Sequence, residues 1–155
     1  MTTTFPLVLH SRAGSNERAI RGAHEQLYFV EGPAGNAANL DKPLVGLTLT
    51  VDGDYYCLIP TSGLTGTLTL YLTATLTSMT CTPTLDALAD FNPRVTNIAS
   101  ATVLTTSGDD GAVLTTTVES IVTLAIAGAM YARLKLVLAG TPTSVVFTRS
   151  EYTCL

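Results

Sequence analysis

Residues 63–79 read GLTGTLTLYLTATLTSM, an uncharged stretch in which leucine and threonine alternate. Its five leucines share one parity of the numbering and its six threonines the other: Leu64, Leu68, Leu70, Leu72 and Leu76, against Thr65, Thr67, Thr69, Thr73, Thr75 and Thr77. Because successive side chains of a strand point to opposite faces of a sheet, this pattern predicts a half-buried strand with its leucines inward. Fully extended, the stretch would run about 50 Å, so we expect a bend or bulge near Gly66 or Ala74.

Alternating apolar and polar residues recur along most of the chain after Pro43. Further strands are predicted over 95–105, 113–127, 131–139 and 144–153, with turn-forming residues between them. Many short strands with little helix indicate an all-β fold. We expect an antiparallel sandwich, a jelly roll or a small barrel, preceded by an N-terminal arm.

Two shorter segments carry local signals of their own. In LVGLTLTVDGDYYCLI, residues 44–59, the Asp52-Gly53 pair predicts a hairpin with a two-residue turn, because both residues tolerate a positive φ. In TPTLDALADF, residues 82–91, the three-residue spacing of Leu85 and Leu88 predicts one or two turns of helix.

The N-terminal quarter differs from the rest in its charge. Residues 1–43 hold four acidic and four basic side chains, whereas residues 44–155 hold eight acidic and four basic ones in a segment more than twice as long. We therefore divide the chain into an arm and linker, 1–43, and a β-domain, 44–155. Over 16–29, Asn16 is suited to cap a short helix but Gly22 weakens it, so a helix and an extended arm both stay open.

The outside of this protein must be largely uncharged. Charged residues are 13% of the sequence, about half of the usual share of about 25%, and threonine is present in 27 copies. A net charge of −4 with only two lysines argues against nucleic-acid binding, which needs clustered basic residues. Lysine is depleted at protein interfaces and usually keeps sheet edges apart, so its scarcity favours a homo-oligomer.

Cysteine usage and hydropathy bear on the compartment. Cys57, Cys81 and Cys154 are an odd number without CxxC spacing, which favours free thiols in a reducing compartment over a disulfide. The longest uncharged apolar run, 120–132, is too short for a membrane-spanning helix, and we predict no membrane partner. The first residues lack the basic start and apolar core of a signal peptide.

Residues that could carry chemistry are few and scattered. His10 and His24 have no partners at metal-ligand spacing. Asp86 and Asp90 are better explained by the predicted helical turn than by acid–base catalysis. The DGD and GDDG stretches resemble turns more than calcium loops. We therefore predict that the protein is not an enzyme and has no catalytic, cofactor-binding or metal-binding residues.

In these features the chain resembles the small decoration, or cement, proteins of tailed-bacteriophage capsids. Those are often β-rich chains made in the host cytoplasm without a signal, poor in charge and motifs and rich in Thr, Ala and Gly, with a polar arm before a compact domain. Here 1–26 and 31–43 would form the arm. The resemblance implies a virion protein, most simply a homotrimer that docks at three-fold points of the shell and contacts the major capsid protein.

Within that reading, six arm residues are candidate partner-binding residues. Phe5, Leu7 and Val8 would add a strand to an exposed edge on the capsid or on a neighbouring subunit. Arg12, Arg18 and Arg21 would pair with acidic groups there and fix the orientation. The alternatives are another virion component, such as a head fibre, tail or shell protein, and a jelly-roll carbohydrate-binding module.

Overall fold

The computed structural model describes most of the chain from residue 25 onwards. The described residues are 25–33, 42–61, 64–78, 80–90, 98–106, 114, 119–126, 128–140 and 144–155. Within them lie ten strands: β1 (Glu25–Gln26), β2 (Phe29–Glu31), β3 (Thr48–Leu49), β4 (Gly53–Pro60), β5 (Thr67–Thr77), β6 (Thr80–Asp90), β7 (Thr102–Thr106), β8 (Ser120–Ala125), β9 (Tyr131–Ala139) and β10 (Ser144–Cys154). One short 3₁₀ turn, Ile98–Ser100, precedes β7.

The strands form two antiparallel sheets packed face to face. The first sheet has the order β1-β10-β5-β8, with β3 also paired to β10, and the second has the order β2-β4-β9-β6-β7. The all-β prediction is confirmed, and the described strands make a sandwich of two separate sheets and not a closed barrel.

The alternating stretch forms β5 in the middle of the first sheet. Leu68, Leu70 and Leu72 are completely buried against the second sheet, whereas Thr67 and Thr75 are exposed on the outer face. The predicted orientation of leucine and threonine is therefore confirmed. The irregularity expected near Ala74 lies in the neighbouring strand: the register of β10 shifts between Phe147 and Arg149, the residues opposite Ala74 and Thr73.

The hairpin predicted over 44–59 is wrong, because its two strands lie in different sheets. β3 pairs with β10, while β4 pairs with β2 and β9. The physical reason is burial: between β2 and β9, the side chains of β4 are buried on both faces from Tyr55 to Pro60. Gly53 still has a positive φ of 136°, but it opens β4 beside the ring of Pro33.

The helical turn predicted over 82–91 is also wrong, since the segment is strand β6. Its alternate residues Cys81, Leu85 and Ala87 are completely buried in the core, which is the period of a strand. Leu88 is an odd number of residues after Leu85 and therefore lies on the opposite face, in the second cluster of buried residues. The three-residue spacing of Leu85 and Leu88 thus imitated a helix.

Part of the predicted arm is built into the sandwich. Residues 25–31 form β1, which pairs with β10, and β2, which pairs with β4, so the helix considered over 16–29 does not include 25–29. The reason is burial: Leu27 and Phe29 lie within the core, with 1% and 0% of their surface exposed. Residues 1–24, with the rest of that helix, lie outside the described residues.

Candidate interaction surfaces

Along β5 and β8, the outer face of the first sheet carries no charged side chain of its own. We call the outward side chains of β5 and β8 the threonine face; they are Thr67, Thr69, Tyr71, Thr73, Thr75, Ile121, Thr123 and Ala125. Cross-strand neighbours place threonine beside threonine, as where Thr69 faces Thr123. Hydroxyl and methyl groups together offer hydrogen bonds and apolar contact without the cost of desolvating a charge. Such a face suits adhesion to another protein.

A charged cluster centred on Arg149 of β10 crosses the threonine face at Tyr71. Arg149 donates hydrogen bonds to Glu151 at 3.1 and 3.2 Å, also pairs with Glu119, and lies over the ring of Tyr71 at 4.9 Å from its centroid. The hydrogen bond to Glu151, followed by the neighbouring Glu119 carboxylate, raises the pKa of Arg149. One guanidinium thus spans β5 from β10 to the start of β8 and leaves the cluster with one net negative charge.

The outer face of the second sheet carries a buried polar group that we call the Arg133 cluster. Arg133 Nε donates to Asp86 Oδ2 at 2.8 Å, and its Nη1 donates to the carbonyl oxygens of Ile98 and Ala99 at 2.7 and 3.1 Å. The other oxygen of Asp86 accepts from Thr106 Oγ1 at 2.8 Å. Both carboxylate oxygens therefore have partners in the fold. The arrangement holds segment 98–101 and β7 on the sheet, and it leaves Asp86 poorly placed for proton transfer.

Apolar side chains complete this second, smaller core. Tyr56, Leu58, Leu88, Ile98 and Ala101 are buried together under the 3₁₀ turn. Burial, followed by the Asp54 carboxylate, raises the pKa of Tyr56. Part of this face of the second sheet is thus covered by the chain itself.

Four of the six tyrosines offer no open ring for stacking on a sugar. Tyr55 and Tyr152 are core residues, and the guanidinium of Arg133 lies 5.5 Å from the ring centroid of Tyr56. Tyr71 is only partly exposed and has the Arg149 guanidinium over its ring. Carbohydrate-binding modules present flat, accessible aromatic rings, so the described surface fits that alternative poorly.

The three cysteines are free and buried. Burial raises the pKa of Cys57, and it raises the pKa of Cys81 to about 12. A thiol that keeps its proton is a poor nucleophile and a poor metal ligand. Across the described residues, no three or more His, Cys, Asp and Glu side chains come together as a metal site.

The predicted partner-binding residues Phe5, Leu7, Val8, Arg12, Arg18 and Arg21 all lie outside the described residues, as do His10 and His24. Sequence reasoning missed both charged clusters. The Arg149 cluster had a local signal, because Arg149 and Glu151 are two residues apart on one strand and therefore share a face. The Arg133 cluster had no local sequence signal, since the partners of Arg133 come from three distant segments of the chain.

Comparison with known proteins adds no relative: no protein-family model, no curated protein and no solved structure matches this chain. The described part of the chain contains no helix that is long and apolar enough to cross a membrane.

Proposed function

We propose that this chain is a structural virion protein, a decoration protein that clamps neighbouring subunits of a tailed-bacteriophage capsid. The observation that supports the proposal best is the threonine face, an open sheet surface whose own side chains are all uncharged. A protein that binds a capsid shell needs surface area for adhesion and does not need reactive groups. The described charged clusters are satisfied internally, which agrees with a role in assembly.

The mechanism is physical. The threonine face and the N-terminal residues contact the major capsid protein, with Phe5, Leu7 and Val8 adding a strand to an exposed edge and Arg12, Arg18 and Arg21 pairing with acidic groups. A homotrimer repeats each contact three times around a three-fold point, so weak individual contacts sum to firm attachment. Free buried cysteines suit a protein made in the reducing host cytoplasm and then incorporated into the virion.

Co-sedimentation with capsids tests the proposal. The particles are shells assembled from the major capsid protein of a tailed bacteriophage. We expect the full chain to pellet with shells at saturable stoichiometry, and a chain lacking residues 2–24 to remain folded but to stay in the supernatant. This deletion stops before Leu27 and Phe29, which belong to the core.

Two point variants separate the threonine face from the rest of the surface. Thr69→Glu puts a charge in the middle of that face, between Thr123 and Thr153 of the neighbouring strands. Thr102→Glu puts the same charge on an exposed position of the second sheet. We expect the first to weaken pelleting at least tenfold and the second to leave it unchanged. If the full chain did not bind shells, the decoration role would be wrong; if the 2–24 deletion bound at full strength, the arm would have no part in it.

A further inference from the structure

The free edges of the two sheets differ in how they are protected from strand pairing. An exposed edge strand can pair with a strand of another chain. Proteins usually prevent this pairing with short edge strands, charges, proline or bulges. β1 and β3 are two residues each, and β2 has three residues that include Glu31 and an interrupted register. β7 is longer, but its register against β6 shifts twice.

In its described residues, strand β8 carries no charge, proline or bulge, and it is longer than β1, β2 and β3. Its six residues, SIVTLA, carry no charge and no proline, and they pair with β5 in an uninterrupted register from Ser120 to Ala125. Within the described residues β8 is the last strand of the first sheet. Its inward side chains Val122 and Leu124 are buried, whereas Ile121 on the outer face is 51% exposed. Such a regular, neutral edge is suited to pairing with another strand.

We propose that β8 is a two-fold contact at which it pairs antiparallel with β8 of a second copy of this chain. Residues opposite each other in a sheet share a face, so a two-fold axis at Thr123 keeps inward residues opposite inward ones. Thr123 then faces its own copy, Val122 faces Leu124 of the second copy, and Ile121 faces Ala125 of the second copy. A large residue meets a small one, and the paired threonines are a favourable cross-strand pair.

Charges near the edge agree with self-pairing. Glu119 is the acidic residue closest to β8, and it is already bound by Arg149 in its own chain. With the axis at Thr123, the two copies of Glu119 lie at opposite ends of the paired strands and do not repel each other. The contact joins the first sheets of two copies into one continuous sheet, and because it is isologous each β8 edge takes a single partner.

Cysteine cross-linking tests the register. Paired residues across an antiparallel ladder have Cα atoms about 4.5–5.5 Å apart, within the range of a disulfide. Under mild oxidation, Thr123→Cys should therefore form a covalent dimer on a non-reducing gel. Ala125→Cys alone should not, because its own copy lies four residues away along the strand. Mixed Ile121→Cys and Ala125→Cys chains should give the mixed dimer. The three native cysteines are buried and do not interfere.

Native mass tests the contact without oxidation. Thr123→Lys places a positive charge opposite itself and should halve the mass measured by light scattering. Thr75→Lys is the matched control, since Thr75 is exposed on the same outer face but lies on β5 beyond the end of the β8 pairing. Its mass should equal that of the unmodified chain.

Three results would overturn the proposal: an unchanged mass for Thr123→Lys, no dimer from Thr123→Cys, or equal cross-linking of Thr123→Cys and Ala125→Cys. The inference does not depend on the decoration role. If the chain dimerises through β8 but does not bind shells, the β8 contact stands and the decoration role is wrong. If it binds shells but does not dimerise through β8, the decoration role stands and the β8 contact is wrong.

Discussion

At the residue scale, Arg133 is the most constrained charge in a chain that has few. It and Asp86 are 8% and 4% exposed, and their hydrogen bonds reach three separate segments of the chain. A buried ion pair repays the loss of hydration only when nearly every donor and acceptor is matched. The Arg133 cluster comes close to that condition, which explains how a short 3₁₀ turn stays fixed on the sheet.

Removing one member of this pair should be costly. We expect Arg133→Met to lower the free energy of unfolding by about 3–5 kcal/mol, because Asp86 keeps only its bond from Thr106 and is left as a buried charge. Lys135→Met is the control, since Lys135 contacts Asp54 at 3.0 Å with about a third of each side chain or more exposed, and should cost less than about 1 kcal/mol. Urea unfolding measures both. Equal losses would show that the burial of the Arg133 pair has no energetic consequence.

Two buried thiols make stability depend on alkaline pH. Free cysteine ionises near pH 8.5, whereas burial raises the pKa of Cys57 and raises that of Cys81 to about 12. The unfolded chain therefore binds fewer protons than the folded one above about pH 9. The contribution of each thiol is complete below its unfolded pKa and is lost as the pH rises towards its folded pKa.

The expected slope is a fall of about 1.4 kcal/mol in the free energy of unfolding per pH unit for each thiol. Urea unfolding between pH 9 and pH 10 should thus show a slope about 1.4 kcal/mol per unit shallower for Cys81→Ala than for the unmodified chain. The variant also loses stability at neutral pH through its cavity, so only the slopes are compared. Identical slopes would mean that Cys81 ionises in the folded protein.

At the element scale, the sequence predicts a strand well when its signal lies within the strand. β5, β9 and β10 follow from alternation alone, because one face of each meets the core. Which strands pair is a different matter. β3 and β4 were expected to pair with each other across Asp52-Gly53, yet each pairs with strands far away in the chain. Burying both faces of β4 contributes more to stability than a tight turn at Asp52-Gly53 would. No local sequence pattern indicates that burial.

The two sides of a sheet should respond differently to the same truncation. Leu70→Ala on β5 removes a completely buried side chain and should lower the free energy of unfolding by about 2–5 kcal/mol. Leu104→Ala on β7 removes a side chain that is 52% exposed and should change it by less than about 0.5 kcal/mol. Chemical unfolding of the two variants in parallel measures the contrast. A cost for Leu70 as small as that for Leu104 would contradict the inward orientation of the β5 leucines.

At the scale of the whole molecule, the chain passes from one sheet to the other at almost every step. Among the described strands only β6 and β7 are consecutive and belong to the same sheet. The first described strand, β1, pairs with the last, β10. Few contacts are therefore local, and sequences of this kind fold slowly because distant segments must meet before burial rewards them. For the same reason the sequence alone left the order of the strands open.

This connectivity decides where the arm can be cut. Leu27 donates its backbone N–H to the carbonyl of Ser150 at 3.2 Å and accepts from Leu44 at 2.9 Å, and Phe29 donates to Lys42 at 3.0 Å. Removing residues 2–30 deletes the core side chains of Leu27 and Phe29. It also removes β1 from beside β10 and most of β2 from beside β4. Each lost side chain of this size costs about 2–5 kcal/mol, which together approaches the whole stability of an ordinary domain.

We therefore expect the 2–30 deletion to lose cooperative thermal unfolding, while the 2–24 deletion keeps a transition close to that of the full chain. Circular dichroism and calorimetry measure both, and Phe29→Ala in the full chain, with an expected loss of about 3–5 kcal/mol, attributes the difference to the core. A cooperative 2–30 deletion with an unchanged midpoint would place residues 25–30 outside the folded unit. Loss of attachment to shells can be assigned to the arm only in a deletion that leaves these core residues in place.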